Sequence, residues 1–213
     1  MTTATPHRSR TADRGPAGDT ARSAAVRERL EGALAGAVAD KGLAATTIAD
    51  VARLAGTSKR TFYEHFADKE ECFLALYRTR SGQLMEAVDA ALSPGATPAT
   101  VQLQEVARAF LTFLTEDRAL GRAHVVDITT IGERGVLARQ EVVDRHAETL
   151  LRMLEQARTA GTSVRRLSHL EAVCVVGGLN EVALRAIEAP DDAPLDDLVE
   201  SATRFMQAVV LAD

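Results

Sequence analysis

The chain has 213 residues, 46% apolar and 26% charged, with a net charge of −5, the balance of an ordinary soluble globular protein rather than a disordered or fibrous one. Aromatic residues are few (4%, no Trp) while Ala, Leu, Val and Arg abound, which favours helix over sheet. No apolar run approaches the ~20 residues that span a bilayer, and the widely separated Cys72 and Cys174, each in an apolar helical pattern, read as two buried free thiols in a reducing cytoplasm.

The charge is unevenly spread. Residues 1–80 carry 13 Lys/Arg against 10 Asp/Glu, and residues 81–213 carry 12 against 20, so +3 precedes −8 and any polyanion should meet the N-terminal third. Residues 1–20, polar and without periodicity, are expected to form a disordered arm. Arg8, Arg10 and Arg14 in that arm either touch phosphates or a minor groove or are simply solvated, and the polar start with Pro6 and Pro16 shows no secretory signal.

The first predicted helix runs from about Thr20 to Asp40, with Val26, Leu30, Leu34 and Val38 on its inward stripe, Ala33 and Ala37 beside them, and Gly42 to end it. The stretch Thr46–Phe66 then reads as two short helices joined by a tight turn. Thr47 caps the first, with Asp50 three residues on, and Ile48, Val51, Ala52 and Ala55 share a face. Gly56 supplies the left-handed residue after it, and Ser58 caps the second. There Phe62 and Phe66, one turn apart, define the buried side. Arg60, Thr61 and Glu64 point outward with Lys59, Tyr63 and His65 beside them. A core helix has no use for that polar set, whereas a helix lying in a major groove does; the plain alternative is an exposed surface helix anchored by two phenylalanines.

The flanks decide between these. Lys41-Gly42-Leu43, Thr46-Thr47-Ile48, Asp50-Val51-Ala52, Ala55-Gly56-Thr57-Ser58, Thr61-Phe62-Tyr63-Glu64-His65-Phe66 and Asp68-Lys69-Glu70-Glu71 resemble the DNA-binding domain of TetR-type bacterial repressors over about Val26–Tyr77. The resemblance implies an all-α protein: a three-helix head with a helix-turn-helix, on a helical body that binds an effector and dimerises. The corresponding division is an arm over 1–20, a DNA-binding domain over 21–67 and an effector-binding and dimerisation domain over 68–213. Thr46, Thr47, Ser58, Lys59, Arg60, Thr61, Tyr63, His65 and Lys69 become the expected DNA contacts. Arg60 is expected to read a base, preferring guanine if bidentate; Thr61 meets a thymine methyl or a phosphate, and the others mainly position the backbone. Glu64 either accepts from cytosine or excludes wrong sequences.

Asp68 and Glu71 cap a long helix of about 24 residues carrying Phe73, Leu74, Leu76, Tyr77, Leu84, Val88 and Leu92, one rod common to head and body. After a break at Ser93–Pro98, with Thr97 as cap, helices are expected over about 98–115 (burying Val101, Val106, Phe110, Phe113 and Leu114), 118–131 and 134–160 (with Val136, Leu137, Val143, Leu150, Leu151 and Leu154). Ser168 and Glu171 cap the penultimate helix, which ends before Pro190; the last begins near Pro194. Val173, Val176, Gly177 and Leu184 on one, with Leu195, Leu198, Ala202, Phe205 and Val209 on the other, are the expected four-helix dimer interface, unless both stripes are used within one subunit.

Chemistry for catalysis is missing. Gly177-Gly178 lies mid-helix, so it is no phosphate loop, and the histidines are dispersed. His124 and Asp127, one turn apart, make at most two metal ligands and read better as a hydrogen-bonded pair. No cofactor or metal is expected. Candidate effector-pocket residues are Phe110, Phe113, His124, Asp127, Asn180 and Glu181, aromatic or polar groups on converging helices. The reading is therefore a cytoplasmic homodimeric regulator, partnered by a double-stranded operator and an unidentified small-molecule effector and not by a membrane; a helical binding module without sequence-specific DNA binding is the competing class.

Overall fold

Capping chemistry sets where the N-terminal helices begin and end. The computed structural model describes residues 16–92, 98–188 and 194–211. Helix α1 (Pro16–Ala45) starts within the span expected as arm, and its helical path is broken at Gly42, whose φ of 77° places it in the left-handed region. Thr47 and Asp50 bond reciprocally through side chain and backbone to open α2 (Ile48–Leu54). Ser58 accepts from the Thr61 N–H at 3.0 Å to open α3 (Lys59–His65). Asp68 accepts from the Glu71 N–H, and Glu71 reaches back to the Ala67 N–H, opening α4 (Lys69–Ala91).

The body follows as α5 (Ala99–Thr115), α6 (Arg118–Val125), a 3-10 turn (Asp127–Ile131), α7 (Glu133–Thr159), α8 (His169–Glu188) and α9 (Leu195–Val210). The helix expected over 118–131 is thus two pieces. Ser168 and Glu171 form the expected reciprocal cap of α8. A single antiparallel bridge, Val164 with Leu211, is the one departure from helical pairing among the described residues. Arg8, Arg10, Arg14, the Ser93–Thr97 break with its Thr97 cap, and Pro190 lie outside those residues.

Two hydrophobic cores meet along α4. The first gathers Leu30, Leu34, Val38, Val51, Phe62, Phe66 and the α4 residues Cys72–Leu74, Leu76 and Tyr77, and it takes in Leu120, Ala123, Ile128, Ala138 and Val142 from the body. The second collects Leu84 and Val88 from the far half of α4 with α5, α8 and α9. The head therefore shares its core with α6, the 3-10 turn and the start of α7, and an edge at residue 67 cuts through packed side chains.

Several faces turn out rotated from their expected phase. Val101, Val136 and Leu137 are exposed by 40%, 41% and 55%, while Leu103, Ala107, Gly135, Ala138 and Val142 point inward. On α7 the cause is close approach to the 3-10 turn, which places small residues where long ones would clash. A Cβ on Gly121 would lie 1.9 Å from the Leu114 carbonyl oxygen, and one on Gly135 would lie 1.8 Å from that of Ile128. Cys72 is buried, its thiol pushed up to about 12 by desolvation, but Cys174 is exposed on α8, correcting the expectation of two buried thiols; both are free.

Candidate nucleic-acid interface

The reading helix is built from the inside. Phe62 and Phe66 are fully buried, their rings 5.7 Å apart, and seat α3 on α1 and α4. A residue not anticipated as functional completes the seat: Arg27 of α1 donates to the His65 carbonyl at 2.6 Å and stacks its guanidinium 4.2 Å from the centre of the Phe66 ring. It thereby closes the C-terminal end of α3, where carbonyls lack partners and the helix dipole favours a cation. Its signal was present in the sequence. Arg27 stands three residues before Leu30 and seven before Leu34, a charge on the apolar stripe, where it must find a partner.

The opposite side of α3 is bare. Lys59, Arg60 and Glu64 are exposed, Tyr63 is 57% exposed, and Thr61 and His65 are half-buried at the flanks. Arg60 extends along the helix to Glu64 at 3.2 Å, an exposed pair one turn apart that contributes little to stability. Ser58 and Thr61 hydroxyls lie 3.1 Å apart at the helix start, and Thr47 is exposed at the start of α2, so both caps lie beside the outward face of the turn.

Two of the expected contacts also hold the head together. Thr46 is buried at 2% exposure, and its hydroxyl donates to the Gly42 carbonyl, so it braces the α1–α2 corner. Lys69 sends its ammonium to the carbonyls of Leu43 and Thr46, both at 3.0 Å, which ties the start of α4 to that corner. Two of its three donors are engaged in this way. Lys41 pins α1 to α2 through Asp50 at 2.7 Å; that contact, with the Thr47 bonds, holds the Asp50 carboxyl well below the usual carboxylate range.

What these residues make is a short helix locked on one side and presenting cationic and hydroxyl groups on the other. The sequence pattern describing bacterial regulatory proteins of the TetR family matches residues 33–76, which covers most of this assembly. Over these residues the chain carries a TetR-family DNA-binding domain.

Solved structures of TetR-like architecture agree along nearly the whole length. The fatty acid degradation regulator FadR from Bacillus halodurans superposes with a TM-score of 0.71 at 19% identity, covering 85% of this chain and 94% of that one. FadR from Bacillus subtilis, solved with stearoyl-CoA, gives 0.70 at 18% identity, with 84% and 96% covered. SmeT in its triclosan complex gives 0.67 at 20% identity, with 89% and 93% covered. Likeness at such identities establishes a common fold. No curated protein matches the chain by sequence.

In the helical body the six expected pocket residues scatter. Phe110 is buried and lines a small pocket of the body. Phe113 lies under the Arg80 guanidinium, 4.8 Å from its ring centre. His124 is buried with its ring 4.6 Å from that of Tyr77, while Asp127 faces Arg122 at 3.8 Å, so the two do not pair. Asn180 is half-buried, and Glu181 is exposed and paired with Arg185. The described residues hold no group of three metal-ligating side chains.

The larger cavity, about 310 Å³, lies between α5, α7, α9 and the bridge, and a smaller one of about 40 Å³ adjoins it toward α4 and α8. On the dimer candidates the structure is divided. Val176 and Ala202 are buried within one subunit. Val173, Gly177, Leu184, Leu195, Leu198 and Val209 are half-buried, and Phe205 is 44% exposed beside Gly178. The inward stripe of α9 is Val199, Ala202, Met206 and Val210, which leaves the neighbouring stripe through Leu198 and Phe205 facing out.

Proposed function

We propose that the chain is a homodimeric transcriptional repressor that reads a palindromic operator and is released from it by a small-molecule effector. The carrying observation is the outward set on α3, Lys59, Arg60, Thr61 and Tyr63, held at a fixed angle by Phe62, Phe66 and Arg27. Two such helices enter successive major grooves about 34–36 Å apart. Arg60 leaves Glu64 to meet a base edge; Thr61 contacts a thymine methyl or a phosphate; Thr47, Ser58, Lys59, Tyr63 and His65 fix the register on the backbone. Lys69 directs its remaining donor to a phosphate.

The second copy docks on α8 and α9 through Val173, Gly177, Leu184, Leu195, Leu198, Phe205 and Val209, burying the apolar stripe that one subunit leaves outside. The effector occupies the body cavity, on which α4 borders with Leu92, Met85 and Val88. Because the same helix starts at the Lys69 corner of the head, displacement of its far end re-aims α3. The effector must bind the two arrangements unequally to act. That structural relatives were solved with stearoyl-CoA and triclosan supports an effector with much apolar surface. The role is that of a cytoplasmic regulator without catalytic activity.

The test is retardation of DNA taken from upstream of the chain's own coding sequence. A specific complex resistant to competitor DNA is expected; weak, salt-labile binding alone would assign the chain to non-DNA binding modules.

A further inference from the structure

The paired cavity has an unusual chemical inventory. The larger part is walled by Leu103, Leu150, Met153 and Val210, with Gln102 and Gln156 as the polar lining residues among those described, and the smaller continues past the shared Val106 and Met206 to His146 and Thr149. Among the described residues no Asp, Glu, Lys or Arg lines either part.

His146 is the exception to the apolar wall. It is only 4% exposed, and its Nε2 has no hydrogen-bond partner. The backbone of Ser81 engages the ring, and burial together with the Arg145 charge lowers its pKa to about 4. With Nδ1 donating to that carbonyl, Nε2 carries a bare lone pair, an acceptor at the end of a hydrocarbon-lined space. A buried acceptor without a donor is costly, and a ligand that supplies the donor removes the cost.

We infer that the effector is an uncharged, mainly aliphatic molecule bearing one hydroxyl, which donates to Nε2 of His146 while the chain fills the larger cavity. A carboxylate is disfavoured twice over: it has no proton to donate, and among the described residues no cation lines the site to offset its desolvation. The inference deepens the effector-released reading above and rests on it for its regulatory meaning.

The test uses the full-length protein and three probes built on a ten-carbon chain: 1-decanol, its methyl ether and decanoate. Calorimetric titration should show saturable binding of 1-decanol at least tenfold tighter than either of the others. His146→Leu should level the alcohol with the ether, and His146→Gln, which keeps an acceptor, should restore part of the difference. Leu150→Trp, which fills the space the two cavities share, should remove binding of all three. Equal binding of alcohol and ether by the unaltered protein, preference for decanoate, or no binding of the alcohol would each overturn the inference, whether or not the variants fold. DNA retardation is measured in parallel. An alcohol that binds through His146 yet leaves the DNA complex intact would keep the site chemistry and defeat the regulatory reading.

Discussion

Arg60 and Arg27 are both arginines of the head, with opposite tasks. Arg60 is exposed and held only by Glu64, so Arg60→Ala should leave thermal stability nearly unchanged while lowering operator affinity by about 1–3 kcal/mol, the loss confined to one base pair of each half-site in a mutated-site series. Arg27 is tied to the His65 carbonyl and the Phe66 face. Arg27→Leu should cost about 1–3 kcal/mol in denaturant unfolding and reduce affinity for every sequence alike, because it loosens the whole helix. Lys69→Met should likewise lower stability through the lost Leu43 and Thr46 carbonyl contacts.

His124 and His146 give a pH prediction at the same scale. Burial depresses both, to about 3 and about 4, with Arg80 and Arg139 adding repulsion at His124 and Arg145 at His146. Each folded value lies below the ordinary imidazole pKa near 6.5, so the unfolded chain binds more protons between the two values. Stability is therefore complete above about pH 6.5 and falls as pH drops toward 4, by up to about 2 kcal/mol per histidine at pH 5. Melting curves from pH 7.5 to 5 should show the decline, and His124→Phe, which keeps a ring against Tyr77, should flatten part of it.

Among the elements, those bounded by capping side chains were legible in the sequence. Thr47, Ser58, Asp68 and Ser168 each bond the backbone three residues on, a local interaction that spacing alone reveals. The inward stripe of α1 and the outward face of α3 were legible too, since long apolar residues there meet partners at ordinary distance. Phase failed where helices come close. Periodicity weighs residues by apolar size, so it turned α7 toward Val136 and Leu137, when the contact with the 3-10 turn demands Gly135 and Ala138. On α9 two adjacent apolar stripes compete, and only the packed subunit shows that Met206 is inside and Phe205 outside. The remote contacts of Lys69 and His146 belong to tertiary structure and leave no local trace.

For the whole molecule, the outward stripe of α9 carries the assembly prediction. Leu198→Asp with Phe205→Asp should give monomers in sedimentation velocity, with each subunit still folded because Val199 and Met206 remain inside. Operator binding should then weaken far more than any single contact accounts for, since two linked readers become two separate ones.

The core common to α1, α3, α4, α6 and the start of α7 governs how this protein can be taken apart. A fragment ending at residue 92 would bare the surfaces that Leu120, Ala123, Ile128 and Val142 cover, and it should keep its far-ultraviolet helix signal, lose its near-ultraviolet signal and bind hydrophobic dye. Anyone grafting this reader onto another sensor must therefore carry α6 with it, and the seam for such a chimera belongs beyond Val142, not at the loop before α4.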